Sequence, residues 1–110
     1  MNIFETADKA RRLADNAHEI AEIQKIINDY NQERKIDRQK ALEIINRLNG
    51  KDAAIAVFNS RLNPGWVSFS EATDEQIVGN LDITLLYLSG KMTAQGIIDI
   101  ARGVGNNTST

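Results

Sequence analysis

Asp74-Glu75-Gln76-Ile77-Val78-Gly79-Asn80-Leu81-Asp82-Ile83-Thr84-Leu85-Leu86-Tyr87-Leu88 is the run that decides the fold. Ile77, Val78, Leu81, Ile83, Leu85, Leu86 and Leu88 cover most of a helical circumference, so a helix here has to be enclosed by other elements. Thr73 and Gln76 stand three residues apart just ahead of the apolar run, the spacing of a capping box, and Ser89-Gly90 ends it. The segment is therefore predicted to be the centre of the fold.

Downstream, Thr93 caps a further helix through about Val104, with Ile97, Ile98, Ile100 and Ala101 as its apolar members. Residues 105–110 contain no apolar side chain and read as a flexible tail, which leaves 1–104 as one helical domain. Upstream, Trp66-Val67-Ser68-Phe69-Ser70 alternates large apolar with small or polar residues. No partner strand presents itself, so the segment reads as an extended connection pinning Trp66 and Phe69 into the core. Were these two exposed, they would be the natural anchors for a partner. Asn63-Pro64-Gly65 should stop a short helix that Asp52 caps and that runs through Arg61, with Ile55, Val57, Phe58 and Leu62 as its apolar members. Asp37 caps another, Arg38 to Leu48, whose buried face is Ala41, Leu42, Ile44, Ile45 and Leu48, and Asn49-Gly50 closes it.

The N-terminal segment should form a single helix from Ile3 to Tyr30, with Asn2 and Glu5 as its cap. Ala10, Leu13, Ala17, Ile20, Gln24 and Ile27 follow a 3-4-3-4-3 spacing, and Ile23, Ile26 and Tyr30 widen that stripe. Such a helix would be roughly 40 Å long at 1.5 Å per residue, more than a small domain needs. Leu13, Ile20 and Ile27 are accordingly the candidates for a seam with another molecule, a second copy of this chain included. The expected architecture is an all-α, single-domain bundle of four to five helices with a long N-terminal helix.

Composition narrows the function. The chain has 110 residues, 42% hydrophobic and 25% charged, with a net charge of -2, which supplies no strong field for general nucleic-acid binding. Zero cysteines exclude disulfides, thiolate nucleophiles and cysteine zinc sites. No apolar run is long enough to span a bilayer, and the opening residues lack the pattern of a secretion signal, so the expected location is the cytoplasm.

Chemistry-bearing residues are sparse. His18 is the single histidine; Glu22 stands at i+4, but two ligands do not make a metal site and no HExxH occurs. Glu71, Asp74 and Glu75 cluster at a helix start, where the macrodipole favours acids. Asp82 and Asp99 interrupt apolar helices; Asp82 is either buried and paired with Arg61, Lys91 or Arg102, or marks the one polar edge of its helix. Arg11-Arg12 and the group Arg34, Lys35, Arg38 and Lys40 lie among acids and read as solvated faces. No catalytic residue, cofactor or metal is expected.

Ile97-Ile98-Asp99-Ile100-Ala101-Arg102-Gly103-Val104-Gly105-Asn106-Asn107-Thr108-Ser109 resembles the first helix and turn of the helix-turn-helix family. Ala101 and Gly105 match that pattern's alanine and its turn glycine four residues on, with Ile100 and Val104 before them. The resemblance implies DNA binding through residues 94–110. Because the tail carries no Arg or Lys, phosphate contacts would fall to Arg34, Lys35, Arg38 and Lys40. The preferred reading is a small non-catalytic interaction module that binds another protein, in the manner of inhibitors, immunity proteins, antitoxins or phage modulators. DNA-binding regulation is the alternative.

Overall fold

The structure, a computed structural model, describes residues 3–66 and 71–106, with side chains described for 7–60 and 71–103. Among the described residues there are six helices and no strand: α1 (Ile3–Asp15), α2 (Ala17–Glu33), α3 (Arg38–Lys51), α4 (Ala53–Trp66), α5 (Asp74–Leu88) and α6 (Ala94–Asn106). The all-helical reading stands. The number of helices and the single long N-terminal helix do not.

Local chemistry sets several helix ends. Asp37 accepts a hydrogen bond from the Lys40 amide at 3.1 Å to start α3, and Thr93 accepts from the Gly96 amide at 2.9 Å to start α6. Thr73 and Gln76 form the reciprocal capping box of α5 at 3.1 and 2.8 Å. At the far end of α5, the Gly90 amide donates to the Tyr87 carbonyl and the Lys91 amide to the Leu86 carbonyl. Gly90 has φ +82°, a left-handed conformation that glycine adopts without a Cβ penalty.

Three helix ends differ from expectation. The N-terminal helix breaks at Asn16, the one residue between α1 and α2, with φ -120° and ψ 16°. The third helix does not close at Asn49-Gly50 but continues to Lys51. Asn49 Oδ1 accepts from Asn59 Nδ2 at 2.5 Å and Lys51 Nζ reaches Glu19 Oε1 at 3.3 Å, so tertiary partners hold this last turn helical. The fourth runs through Asn63-Pro64-Gly65 to Trp66, so Pro64 lies in the last turn of α4, where its fixed φ fits helical backbone at the loss of one amide hydrogen bond. Trp66 thus has helical rather than extended backbone, and Phe69 lies outside the described residues.

The apolar core joins Ile23 and Ile26 of α2, Ile44, Ile45 and Leu48 of α3, Ile55 and Phe58 of α4, Ile77, Leu81 and Leu88 of α5, and Ile97 and Ala101 of α6. Helix α5 packs against α1, α2, α3 and α6, the central position expected of it, while α4 and α6 form the most extensive pair. Its buried face is more polar than its sequence suggests: Asn80, Thr84 and Tyr87 point inward with Ile77, Leu81 and Leu88, and Leu86 is left exposed.

The interior therefore contains a chain of amides. Thr84 Oγ1 donates to Asn80 Oδ1 at 3.4 Å, Asn80 Nδ2 to Asn59 Oδ1 at 2.6 Å, and Asn59 Nδ2 to Asn49 Oδ1. It runs from α5 through α4 to α3. Asn59, Asn80 and Thr84 are buried, and pairing them offsets the desolvation cost that each alone would carry.

A second polar layer staples α2 to α3. Glu22 meets Lys40 at 2.5 Å and Arg47 at 3.2 Å, and Glu19 meets Lys51 at 3.3 Å and Arg47 at 3.6 Å. The Lys40 ammonium is the main cause that holds the Glu22 carboxyl below its ordinary value of 4.5. For Glu19, burial pushes the carboxyl upward, but its own amide, Lys51 and Arg47 together bring it below 4.5. A carboxylate with a depressed folded pKa contributes stability that is fully present above 4.5 and is lost as pH falls through the folded value. Denaturant unfolding is thus expected to show stability level at neutral pH and dropping below about 4.5. Glu22→Gln should make that acid-side slope shallower.

Candidate functional site

The N-terminal arm is oriented opposite to its sequence stripe. Ala10, Leu13, Ala14 and Ala17 face solvent, whereas Arg12, Asn16 and Glu19 are buried, in line with Ile23 and Ile26. The inward residues 12, 16, 19, 23 and 26 keep a 4-3-4-3 spacing of their own, one face removed from the apolar one. Leu13 is 41% exposed; Ile20 and Ile27 are partly buried against the core. The expected seam of Leu13, Ile20 and Ile27 is therefore divided, with only its α1 end free.

Arg12 is the reason for this orientation. Its guanidinium lies 4.4 Å from the centre of the Tyr87 ring, Nη1 pairs with Asp8 Oδ2 at 3.2 Å, and Nη2 donates to the Met92 carbonyl at 3.5 Å. A cation over an aromatic face gains when water is excluded, and Arg12 is 3% exposed. Tyr87 in turn donates its hydroxyl to Asp52, whose Oδ1 also accepts the Ala54 and Ile55 amides at the start of α4. Burial, then the Asp52 hydrogen bond and charge, push the Tyr87 phenol up to about 12, with Arg12 opposing. The cluster thus connects α1, α4, α5 and the turn before α6. Reading Arg11-Arg12 as a solvated pair holds for Arg11, which pairs with Asp8 and Asp15 at the surface, and fails for Arg12.

Two atoms at this junction are buried without a hydrogen-bond partner: Arg12 Nε and Asn16 Oδ1. Asn16 Nδ2 donates backward to the Arg12 carbonyl at 2.9 Å. Both unmet atoms sit where α1 meets α2.

The remaining candidates disperse. The His18 side chain is 76% exposed and 3.3 Å from Glu22, and among the described residues no three His, Asp or Glu side chains are grouped to hold a metal. Asp82 is exposed, and Asp99 lies at the surface with Gln95 and Arg102 as neighbours, so both mark polar edges. Of the basic group, Arg38 binds Asp74 and the Ala72 carbonyl at 2.7 Å each, and Lys40 is held by Glu22. Arg34 caps α2 with φ 57° and lies 5.3 Å from the Tyr30 ring centre. Arg38 and Lys40 serve the fold, which leaves Arg34 and Lys35 at the bend and disperses the expected phosphate-binding group.

A groove of about 300 Å³ between α2 and α3 is lined by Glu22, Lys25, Ile26, Asp29, Ile36, Asp37 and Lys40. Lys25 pairs with Asp29 at 2.9 Å and Lys40 with Glu22, so its charges are internally matched. The backbone of α6 stays helical through Gly105, so the turn of the helix-turn-helix pattern does not open there; residues 107–110 lie outside the described residues. Trp66 closes α4, with its side chain outside the described set. Among the described residues, no helix is long and apolar enough to cross a membrane.

Sequence reasoning followed the apolar residues and so missed Arg12, Asn16 and Glu19. The signal was available as the second periodic line, but reading it required knowing that Tyr87 and Met92 would lie opposite. Leu86 and Val57, at 39% and 38% exposure, are the other large apolar side chains left at the surface of the described residues. No protein-family model, no curated protein and no solved structure matches this chain.

Proposed function

We propose that this chain is a small non-catalytic helical interaction module that binds another protein through the outward face of α1. One observation carries the reading: α1 turns its ionic residue Arg12 into the fold and its apolar residues Ala10, Leu13 and Ala14 out to solvent. An amphipathic helix alone would favour the reverse arrangement. Outward apolar residues at helical spacing form the kind of face that another helix or an apolar groove covers. Glu19, Glu22 and Asp52 are engaged with cations or a hydroxyl of other helices, while Arg11, Lys25 and Asp99 pair within their own helices at the surface, which supports a binding rather than a chemical role.

Affinity capture and crosslinking with the full chain, compared between the native sequence and Leu13→Asp, test this. Leu13 is exposed, so the substitution is expected to change stability by no more than about 0.5 kcal/mol. The native chain should retain a partner protein at fixed stoichiometry, and Leu13→Asp should weaken that retention at least about tenfold, the effect of losing a central apolar contact. Equal retention by both, or none by either, overturns the reading.

A further inference from the structure

We propose that α1 exchanges between two copies of this chain, each copy's Arg12 docking under the other's Tyr87 when the bend at Asn16 straightens. Four observations lead there. The first is that α1 and α2 are separated by one residue only, and Asn16 is hydrogen-bonded to both, its amide to the Arg12 carbonyl (3.0 Å) and its carbonyl to the Ile20 amide (2.8 Å), so the two helices part at the backbone of this single residue. A continuous helix is therefore a small backbone change away. Second, the apolar and helix-forming pattern of residues 3–33 contains no glycine or proline to enforce a bend.

Third, the bent arrangement leaves Asn16 Oδ1 buried and unpaired, a cost located at the hinge itself, whereas Arg12 Nε keeps the same surroundings in either arrangement. Fourth, the described contacts of α1 with the rest of the fold are few: Arg12 with Tyr87 and the Met92 carbonyl, the Lys9 side chain against Gly90, and the Asp15 carbonyl, which accepts from Lys51 Nζ at 3.1 Å. The slot that receives α1 is built by α5, the turn after α5 and the end of α3, so a second copy's α1 meets the same partners. Exchange of an identical element preserves every contact and adds only the entropy cost of association, which is why concentration drives it. The inference stands apart from the outward face of α1, which remains free in either arrangement.

The absence of cysteine allows a direct test. A Cβ built on Gly90 lies 3.6 Å from the Lys9 Cβ, within the span of a disulfide, so Lys9→Cys with Gly90→Cys forms a crosslink wherever α1 docks, the cysteine at 90 carrying the strain of the left-handed backbone there. The purified full-length variant is concentrated to about 1 mM, a regime where weak association is populated. Monomer and dimer are then separated by size, oxidised and run without reductant. Exchange predicts two chains covalently joined in the dimer fraction and single-chain crosslinks in the monomer. In the cysteine-free chain, Asn16→Ala should raise the dimer association constant about fivefold, since alanine favours a continuous helix in both copies, and Asn16→Gly should lower it. Dimers crosslinked only within each chain overturn the proposal, as does a chain that stays monomeric even as Asn16→Ala. Leu13→Asp should leave this dimer unchanged, which separates failure here from failure of the partner-binding reading.

Discussion

Phe58→Ala is expected to destabilise the fold by about 3–5 kcal/mol, the range for a fully enclosed phenylalanine. Phe58 is 0% exposed and sits on α4, whose pairing with α6 is the largest in the fold. Its removal leaves a cavity walled by helices that cannot close on it, because the neighbouring Asn59 ties α4 to both α3 and α5. For a domain of this size the melting temperature should fall by roughly 10–20 °C. Val57→Ala, one residue earlier and at the surface, should move it by only a few degrees. Thermal and urea unfolding monitored by circular dichroism distinguish the two. A loss below about 1 kcal/mol for Phe58→Ala would mean that this side chain is not enclosed as described.

The second large effect is expected at Asp52. This carboxylate starts α4 by accepting two amide hydrogen bonds, and it accepts the Tyr87 hydroxyl. Losing the cap costs about 1 kcal/mol, and leaving the Tyr87 hydroxyl buried without an acceptor costs about 1–3 kcal/mol more. Asp52→Ala should therefore lose about 2–4 kcal/mol in all. Asp52→Asn, which keeps an acceptor oxygen, should recover more than half of that. Tyr87→Phe removes the donor and should cost only about 1 kcal/mol. In combination with Asp52→Ala it should cost less than the two singly added, because the stranded hydroxyl is gone. An absorbance titration with Tyr30→Phe, which leaves Tyr87 as the only phenol, should give a midpoint near 12. Asp52→Asn should bring that midpoint down. Additive losses, or a midpoint indifferent to Asp52, would show that the pair does not act as one unit.

What could be read from the sequence divides by the range of the interactions involved. The start of α5 was legible because Thr73 and Gln76 cap each other within four residues, and Asp37, Asp52 and Thr93 were legible for the same reason. The apolar face of α3 followed from spacing alone, and Ile44, Ile45 and Leu48 are enclosed, whereas on α2 the main stripe through Ala17, Ile20, Gln24 and Ile27 lies beside the enclosed Ile23 and Ile26. The orientation of α1 was not legible. Arg12 is drawn inward by Tyr87 and by Met92, the latter 80 residues away, and no local pattern around Arg11-Arg12 anticipates them. Asn49-Gly50 and Asn63-Pro64-Gly65 failed as stop signals through the same kind of override. Cross-helix partners of Asn49 and Lys51 extend α3, and proline near the end of α4 does not exclude helical backbone. As for the candidate site, Leu13, expected at a seam with another molecule, is exposed. Ile20 and Ile27 were assigned with it only because a straight helix was assumed.

The relay from Thr84 to Asn49 has a consequence for how many ways these helices can be stacked. Leucines and isoleucines tolerate sliding: one oily neighbour substitutes for another with little penalty. Amides do not. If α4 advanced by a single turn along α5, Asn59 and Asn80 would each face hydrocarbon, and the mis-stacked assembly would be left with stranded dipoles that no solvent reaches. The interior thus carries its own proofreading: close-to-native arrangements are disfavoured well before any partner or chaperone inspects them, and the chain is steered to one alignment out of several of similar greasiness.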